Sequence, residues 1–278
     1  MNQAVLYKRA NQVQRHDARM VLREYGNLFQ WRLDGGDRIM DIGCGSGDVT
    51  IDYLEPLLPS NYEKLVGSDV SLKMVSYASD TYGKTHSKVE FDQLDIGDDC
   101  MPKRYLEHFN HITSFYCLHW VQDQRKALRN IYDMLDREGD CLLAFLASNP
   151  VFDVYKKLSL TEKWAPYMKD LDRFIAPLQY CENPGEEYEK YMMETGFKSY
   201  SVEVRQQIFI YEGTDNLKAN VKAVNPFVER LSNKQQAEFL NDYIQTVVDM
   251  DLSESCPEDP EDLRFITPYK LVIVYGKK

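Results

Sequence analysis

Ile39-Met40-Asp41-Ile42-Gly43-Cys44-Gly45-Ser46-Gly47-Asp48-Val49-Thr50 is the stretch on which the reading of this 278-residue chain turns. Residues 38–42 read as a short strand, alternating glycines follow, and residues 47–58 read as a helix that stops near Pro59. Glycine tolerates positive φ and lets a ligand approach the backbone. A helix start beside such glycines offers unpaired N–H groups and a positive dipole end. A purely structural turn can look alike, so the surroundings decide. The spacing is G-x-G-x-G, whereas the dinucleotide fingerprint is G-x-G-x-x-G. Asp41 stands inside the strand, two residues ahead of Gly43. A buried carboxylate there is costly unless it accepts hydrogen bonds.

Working outward, residues 64–69 form a second strand ending on Asp69, 24 residues past Gly45. Its carboxylate is placed to accept two ribose hydroxyls. It could equally cap the helix that opens at Val70-Ser71, although Ser71 serves that role as well. Residues 72–83 read as a helix and 89–91 as a weaker third strand. In the acidic loop after it, Asp95-Ile96 suits an adenine edge, while Asp92, Asp98 and Asp99 keep a merely solvated loop open. Residues 111–117 form a fourth strand, 122–136 a helix and 141–147 a fifth strand. Such alternation argues for a parallel sheet with helices on both faces.

Upstream, residues 11–32 read as an amphipathic helix with Val13, Met20, Val21, Leu28 and Phe29 apolar, ended by Gly35-Gly36. Downstream the βα rhythm breaks. Residues 150–182 carry many aromatic and aliphatic side chains but no strand-like run, and 184–196 return to a helix ended by Gly196. Segments 200–211 and 270–275 read as closing strands around a helical insert, 214–262. Within it Ser232-x-x-Gln235 matches a capping box, Leu240, Tyr243, Ile244 and Val247 share a face, and 253–262 is an acidic, proline-containing loop. With no Gly/Ser linker and no repeat, 1–278 reads as a single domain. Residues 1–34 then form a helical lid, and 150–182 and 214–262 helical caps.

The 44% hydrophobic and 28% charged shares are ordinary for a soluble globular chain, and a core of this size needs no disulfides. Net charge is −11 with no basic stripe, which disfavours nucleic acid as a partner. No run approaches the roughly 18 apolar residues of a membrane span. The N-terminus lacks a secretory apolar region. The six cysteines (44, 100, 117, 141, 181, 256) are scattered, so reduced thiols and a cytoplasmic location are expected. His108 and His111 flank a strand start without Cys, Asp or Glu at ligand spacing, so no metal is expected.

The stretch 39–50 resembles the first motif of class I S-adenosylmethionine-dependent methyltransferases, and Asp69, Asp95 and segment 115–121 match that family's later motifs in order and spacing. The resemblance is strong over 35–147 and loose over most of the rest. It implies a Rossmann-like α/β fold: a seven-stranded, mostly parallel sheet with an antiparallel last strand from 270–275 and helical cap insertions. It implies S-adenosylmethionine as cofactor and S-adenosylhomocysteine as product. Asp41, Gly43, Cys44, Gly45 and Gly47 would pack on the methionine part, and Asp69 with Val70 would hold the ribose. Asp95 and Ile96 would hold the adenine, with Met74, Phe115 and Cys117 as apolar walls.

The acceptor must be read elsewhere. Cys117-Leu118-His119-Trp120-Val121 follows the fourth strand, at the edge where such folds place ligands. His119 is a candidate base or an orienting residue. A carboxylate, with a pKa near ~4, needs no base at neutral pH, only alignment. Neutral donors such as an indole or carboxamide N–H orient it without neutralising it. Trp120 and Gln14 are therefore the catalytic and anchoring candidates, unless Gln14 is a plain helix-surface residue. Gln14 lies seven residues after Tyr7. Plant methyltransferases of small carboxylic acids are similar here, and that family anchors the carboxylate with its Gln and Trp.

Phe152, Tyr155, Trp164 and Ile175 would line a pocket for a long apolar acid, or else merely pack a cap. Lys156, Lys157, Lys163, Lys169 and Arg173 keep a polycarboxylate open. The Tyr7…Gln14 segment, the stretch 41–50, the run 115–121 and the length together resemble the insect juvenile hormone acid O-methyltransferases as a family. That resemblance implies methyl esterification of farnesoic acid or juvenile hormone acid in juvenile hormone biosynthesis, by a monomer or homodimer. The alternatives are a methyltransferase of the same fold acting on another small or acyl carboxylate, and a non-catalytic terpenoid-binding protein. An NAD-dependent oxidoreductase is disfavoured by the glycine spacing.

Overall fold

The computed structural model describes residues 4–255 and 262–278. Its centre is β1 (Arg38–Ile42), flanked in parallel by β2 (Lys64–Asp69) on one side and β4 (Phe109–Phe115) on the other. These strands are buried almost throughout, as strands covered on both faces must be. Side chains alternate across β1: Ile39 joins the core on one face, Met40 and Ile42 the core on the other. β3 (Val89–Gln93) extends the sheet beyond β2, and β5 (Leu135–Ser148) extends it beyond β4.

The chain closes with β6 (Ser199–Glu212), a three-residue β7 (Ser253–Ser255) and β8 (Leu263–Lys277). β8 enters antiparallel between β5 and β6, with Leu143 and Val202 both opposite Val274. The continuous order is β3-β2-β1-β4-β5-β8-β6, with β7 paired to β8 off that path. The mostly parallel seven-stranded sheet with an antiparallel last strand is thus found, and β7 adds a short eighth strand to it. Because the chain runs outward from β1 to β3 and then returns to β4, a crevice opens between β1 and β4 at the carboxyl ends of the strands.

Helices α1 (Ala4–Ala10) and α2 (Gln12–Tyr25) lead into β1. α3 (Leu72–Tyr82) and α4 (Gln124–Met134) are the crossovers. α5 (Pro150–Ser159) and α6 (Pro184–Thr195) follow β5, and α7 (Thr214–Val224) and α8 (Asn233–Val248) fill the insert before β8. Ser232 and Gln235 cap α8 reciprocally, as their spacing implies.

Several boundaries differ from expectation for physical reasons. The helix expected over 11–32 stops at Tyr25, because Gly26 opens a 3₁₀ turn and Phe29 and Trp31 turn inward onto the His111 ring at 5.3 and 4.4 Å. Residues 47–58 include a π turn (Thr50–Leu54) and a 3₁₀ turn (Glu55–Leu57) rather than one α-helix. Thr50 Oγ1 there donates to Asp41 at 2.5 Å. β4 and β5 start earlier than expected, because Phe109, almost fully buried, pairs with Leu135. Of the acidic loop expected over 253–262, the first three residues are β7, and 256–261 lie outside the described residues.

Candidate active site

Glycine is required at the head of the crevice. Gly43 has φ +74°, and a Cβ on it would lie 2.3 Å from the Cys117 Cβ, so β1 and the end of β4 approach as closely as only glycine permits. Gly45 has φ +55° and carries the Tyr7 ring of α1, 3.3 Å from where its Cβ would be. The loop is set by its own amides. Gly43 and Cys44 N–H donate to the Ser68 carbonyl at 2.7 and 2.9 Å, and Gly47 N–H donates to the Cys44 carbonyl at 2.9 Å. Gly45 N–H donates to Asp69 Oδ2 at 3.0 Å. A diphosphate cradle needs such amides free. Here they are spent, which disfavours a dinucleotide.

Asp41 is buried behind the loop and accepts from Thr50 Oγ1 and, at 2.9 Å, from Thr113 Oγ1. Burial pushes its pKa up to about 6 despite both hydroxyls. Both of its oxygens therefore brace the loop from behind. Asp69 sits at the open end of β2 with its pKa raised by burial, against the lowering pull of the Ser71 and Gly45 N–H groups. Asp95 is exposed beyond β3, its Oδ1 accepting from Gly97 N–H, while Ile96 is buried. Met74 and Phe115 are buried, Cys44 lies under the loop, and Val70 is exposed. Loop, Asp69, Asp95 and Cys117 all lie at the carboxyl ends of parallel strands, where a nucleoside with an apolar, positively charged tail fits: hydroxyl acceptors at one end, glycine backbone at the other. The carboxylates present and the glycine that a Cβ would block fit such a group.

Beside the loop, under α1 and α2, opens a cavity lined by Tyr7, Gln14, His119, Trp120, Phe152 and Tyr155 together with Tyr116, Tyr211, Tyr243 and aliphatic side chains. Gln14 Oε1 is buried there without a hydrogen-bond partner. Which amide atom points inward is a matter of assignment, so the carboxamide can present its N–H₂ to a ligand oxygen. The Trp120 ring packs against Phe152 at 6.0 Å, and Phe152 against Tyr155 at 6.3 Å, forming an aromatic wall.

Of the two roles open to His119, the geometry favours the orienting one. Its Nδ1 accepts from the Leu146 N–H at 3.4 Å, and burial pulls its pKa down to about 3. A neutral imidazole so disfavoured as a cation is a poor proton acceptor and is instead an N–H donor through Nε2. Trp164 and Ile175 depart from expectation, because both lie outside the cavity lining. The Trp164 indole donates to Asp242 Oδ2 at 2.9 Å and packs on Phe239 at 5.1 Å, joining the cap after β5 to α8. The Ile175 carbonyl accepts from Gln122 Nε2 at 3.0 Å. Lys156, Lys157, Lys163, Lys169 and Arg173 are all exposed, and among the described residues no Lys or Arg lines the cavity.

Sequence reasoning missed what holds the lid. Asp48, directly after the glycines and almost fully buried, accepts from Ser46 Oγ (2.5 Å), Asn11 Nδ2 (3.0 Å) and Arg15 Nη1 (2.5 Å). Asn220 Nδ2 on α7 donates to the Ala10 carbonyl at the end of α1. Both contacts pin the N-terminal helices, one to the loop and one to the cap. Among the described residues no helix is long and apolar enough to cross a membrane.

Residues 13–202 match the family model described as a methyltransferase domain. The chain is 49% identical to juvenile hormone acid O-methyltransferase of Drosophila melanogaster, over all of this chain and 93% of that protein. It is 40% identical to the Bombyx mori protein of the same name, over all of this chain and 98% of that one. Its fold is similar to that of the YcgJ protein of Bacillus subtilis (TM-score 0.57, 17% identity, covering 93% of this chain and 98% of that one). It is also similar to phosphoethanolamine N-methyltransferase 2 of Haemonchus contortus, solved with S-adenosyl-L-methionine (TM-score 0.54, 16% identity, 95% of this chain and 52% of that one). On full-length identity to two curated members, the chain belongs to the juvenile hormone acid O-methyltransferase family of methyltransferase-domain proteins.

Proposed function

We propose that the chain methylates the carboxylate of a sesquiterpenoid acid, juvenile hormone acid or farnesoic acid, using S-adenosylmethionine. The observation that carries the reading is the buried, unpartnered Oε1 of half-buried Gln14 in an aromatic cavity that touches the glycine loop through Tyr7 and, among the described residues, is lined by no Lys or Arg. A polycarboxylate would need cationic partners inside, and all five candidates in the cap are exposed.

S-adenosylmethionine bound there would supply an electrophilic methyl group on its sulfonium, leaving S-adenosylhomocysteine as the product. Gly43, Gly45 and Gly47 provide the close backbone approach, Asp69 the ribose acceptor, and Asp95 with Ile96 the adenine edge. Asp41 holds the loop in place through Thr50 and Thr113. Gln14 and the Trp120 N–H orient the substrate carboxylate without neutralising it, so that its nucleophilicity is kept. No base is required, since the acid is ionised at neutral pH. His119 fits the part of a neutral donor and packing surface against Trp120, at a ring separation of 5.0 Å. Excluding water around an anion and a cation strengthens their attraction, and the neutral ester loses that hold.

The test is a methyl-transfer assay across terpenoid, fatty and dicarboxylic acids. Ester formation on the sesquiterpenoid acids, and little on dicarboxylates, is expected. A strong preference for a dicarboxylate would overturn the substrate, and absence of cofactor binding by calorimetry would overturn the enzyme.

A further inference from the structure

At the far end of the aromatic wall, two polar atoms stand buried without partners. They are the Tyr155 hydroxyl and Asn225 Nδ2. The orientation of Asn225 is fixed, because its Oδ1 accepts from the Phe227 and Val228 N–H groups at 2.8 and 3.1 Å. Its donor end must therefore face the other way. It stands close enough to the Tyr155 hydroxyl to lower that group's pKa against the larger raising effect of burial, yet the two make no well-formed hydrogen bond. Leaving a buried donor unsatisfied is costly. Only Tyr155 lines the cavity, Asn225 following the lining residue Val224, so the Tyr155 hydroxyl, backed by Asn225, is left to bond an acceptor that arrives from outside.

Tyr155 lines the same cavity as Gln14 and Trp120. Successive ring separations of 6.0 Å (Trp120 to Phe152) and 6.3 Å (Phe152 to Tyr155) set the reach along the wall. A hydrocarbon chain that advances about 3.5 Å per three bonds covers that span with a carboxylate at one end and an oxygen some eight to ten bonds away. Farnesoic acid carries only an alkene at that distance, whereas juvenile hormone acid carries an epoxide, an uncharged oxygen that accepts but does not donate.

We propose that the Tyr155 hydroxyl, oriented by Asn225 behind it, forms a distal subsite for an ether-type oxygen on the tail of the acid, making the enzyme selective for the epoxy acid over its alkene counterpart. The inference rests on the carboxyl methyltransferase reading above. Tyr155 is the specificity residue in it and Asn225 its positioning residue, both remote from the reacting oxygen.

The test compares kcat/KM for farnesoic acid and for its 10,11-epoxide in the wild type, Tyr155→Phe and Asn225→Asp. The phenylalanine keeps the ring and loses only the hydroxyl. The aspartate keeps the oxygen that caps Phe227 and Val228 and loses the donor. The wild type is expected to favour the epoxy acid, and each variant to cut that preference about tenfold, the value of one hydrogen bond, through KM for the epoxy acid. An unchanged ratio in Tyr155→Phe, or no wild-type preference, overturns the subsite. Failure of the parent reading is distinct: the wild type then esterifies neither acid, and the subsite falls with it.

Discussion

Asp17 Oδ2, on the second lid helix, accepts from the Tyr116 hydroxyl at 2.6 Å. Tyr116 is the residue that turns β4 toward the cavity, and its backbone holds φ +58°, a strained value for a side chain of that size. The same carboxylate accepts from Tyr269 of β8 at 2.8 Å and is fully buried. One buried acid thus locks the lid to both strands that floor the cavity.

Asp17→Ala leaves two buried hydroxyls unpaired and opens a cavity, and it should cost about 2–5 kcal/mol of stability. Urea unfolding checks it. Because the lock also holds Tyr116 in its strained conformation, kcat/KM for the acid should fall further than in Tyr269→Phe. A loss below ~1 kcal/mol with unchanged kinetics would remove the lock from the account.

The parallel half of the fold was legible because each strand carried a signature: alternating glycines after β1, an acid ending β2, turn residues between helices. The lid was less so. In α2, Val13, Asp17 and Val21 fall at i, i+4, i+8 on the buried stripe, and a charge in such a stripe is the one signal that could have exposed the Asp17 lock. Asp48 was legible as a neighbour of the glycines but not as their clamp, since its partners, Asn11 and Arg15, lie far off in sequence. Trp164 was misplaced because an aromatic residue in a cap looks the same whether it faces ligand or a second cap. Only the Asp242 partner on α8 tells the two apart.

Asp48→Ala frees Asn11 from the loop and leaves Arg15 held only by Asp52 and Tyr53. The Asp48–Arg15 pair is buried on one side only, Arg15 being about a quarter exposed, so a loss of about 2–3 kcal/mol is expected. Hydrogen exchange should then quicken first in α1 and the start of α2, not in β1. If exchange rises equally in β1, Asp48 serves the sheet rather than the lid.

His119 gives a pH prediction. Its folded pKa, about 3, lies below the free value of 6.5. It therefore contributes stability present above pH 6.5, which drains away as the pH falls toward 3. In catalysis it stays neutral throughout, so kcat/KM for the acid should show no limb between pH 6 and 7. A limb there that disappears in His119→Gln would restore His119 as a base.

Asp69 and Trp120 divide the two binding tasks, and the division can be read by separate instruments. Asp69 lies among the loop amides, with Gly45 N–H on one oxygen and Ser71 N–H on the other. The Trp120 ring packs against Phe152 in the cavity wall. By calorimetry, Asp69→Ala should weaken S-adenosylmethionine about 100-fold or more, a change of about 2.7 kcal/mol. Asp69→Asn, which keeps one accepting oxygen, should fall between. Trp120→Ala should leave cofactor affinity within about twofold but lower kcat/KM for the acid ~10–100-fold, an indole N–H and its packing being worth about 1.4–2.8 kcal/mol. Trp120→Phe, which keeps the ring, should recover the packing part of that loss and not the N–H part. Loss of cofactor binding in Trp120→Ala alongside unaltered kinetics in Asp69→Ala would reverse the two assignments.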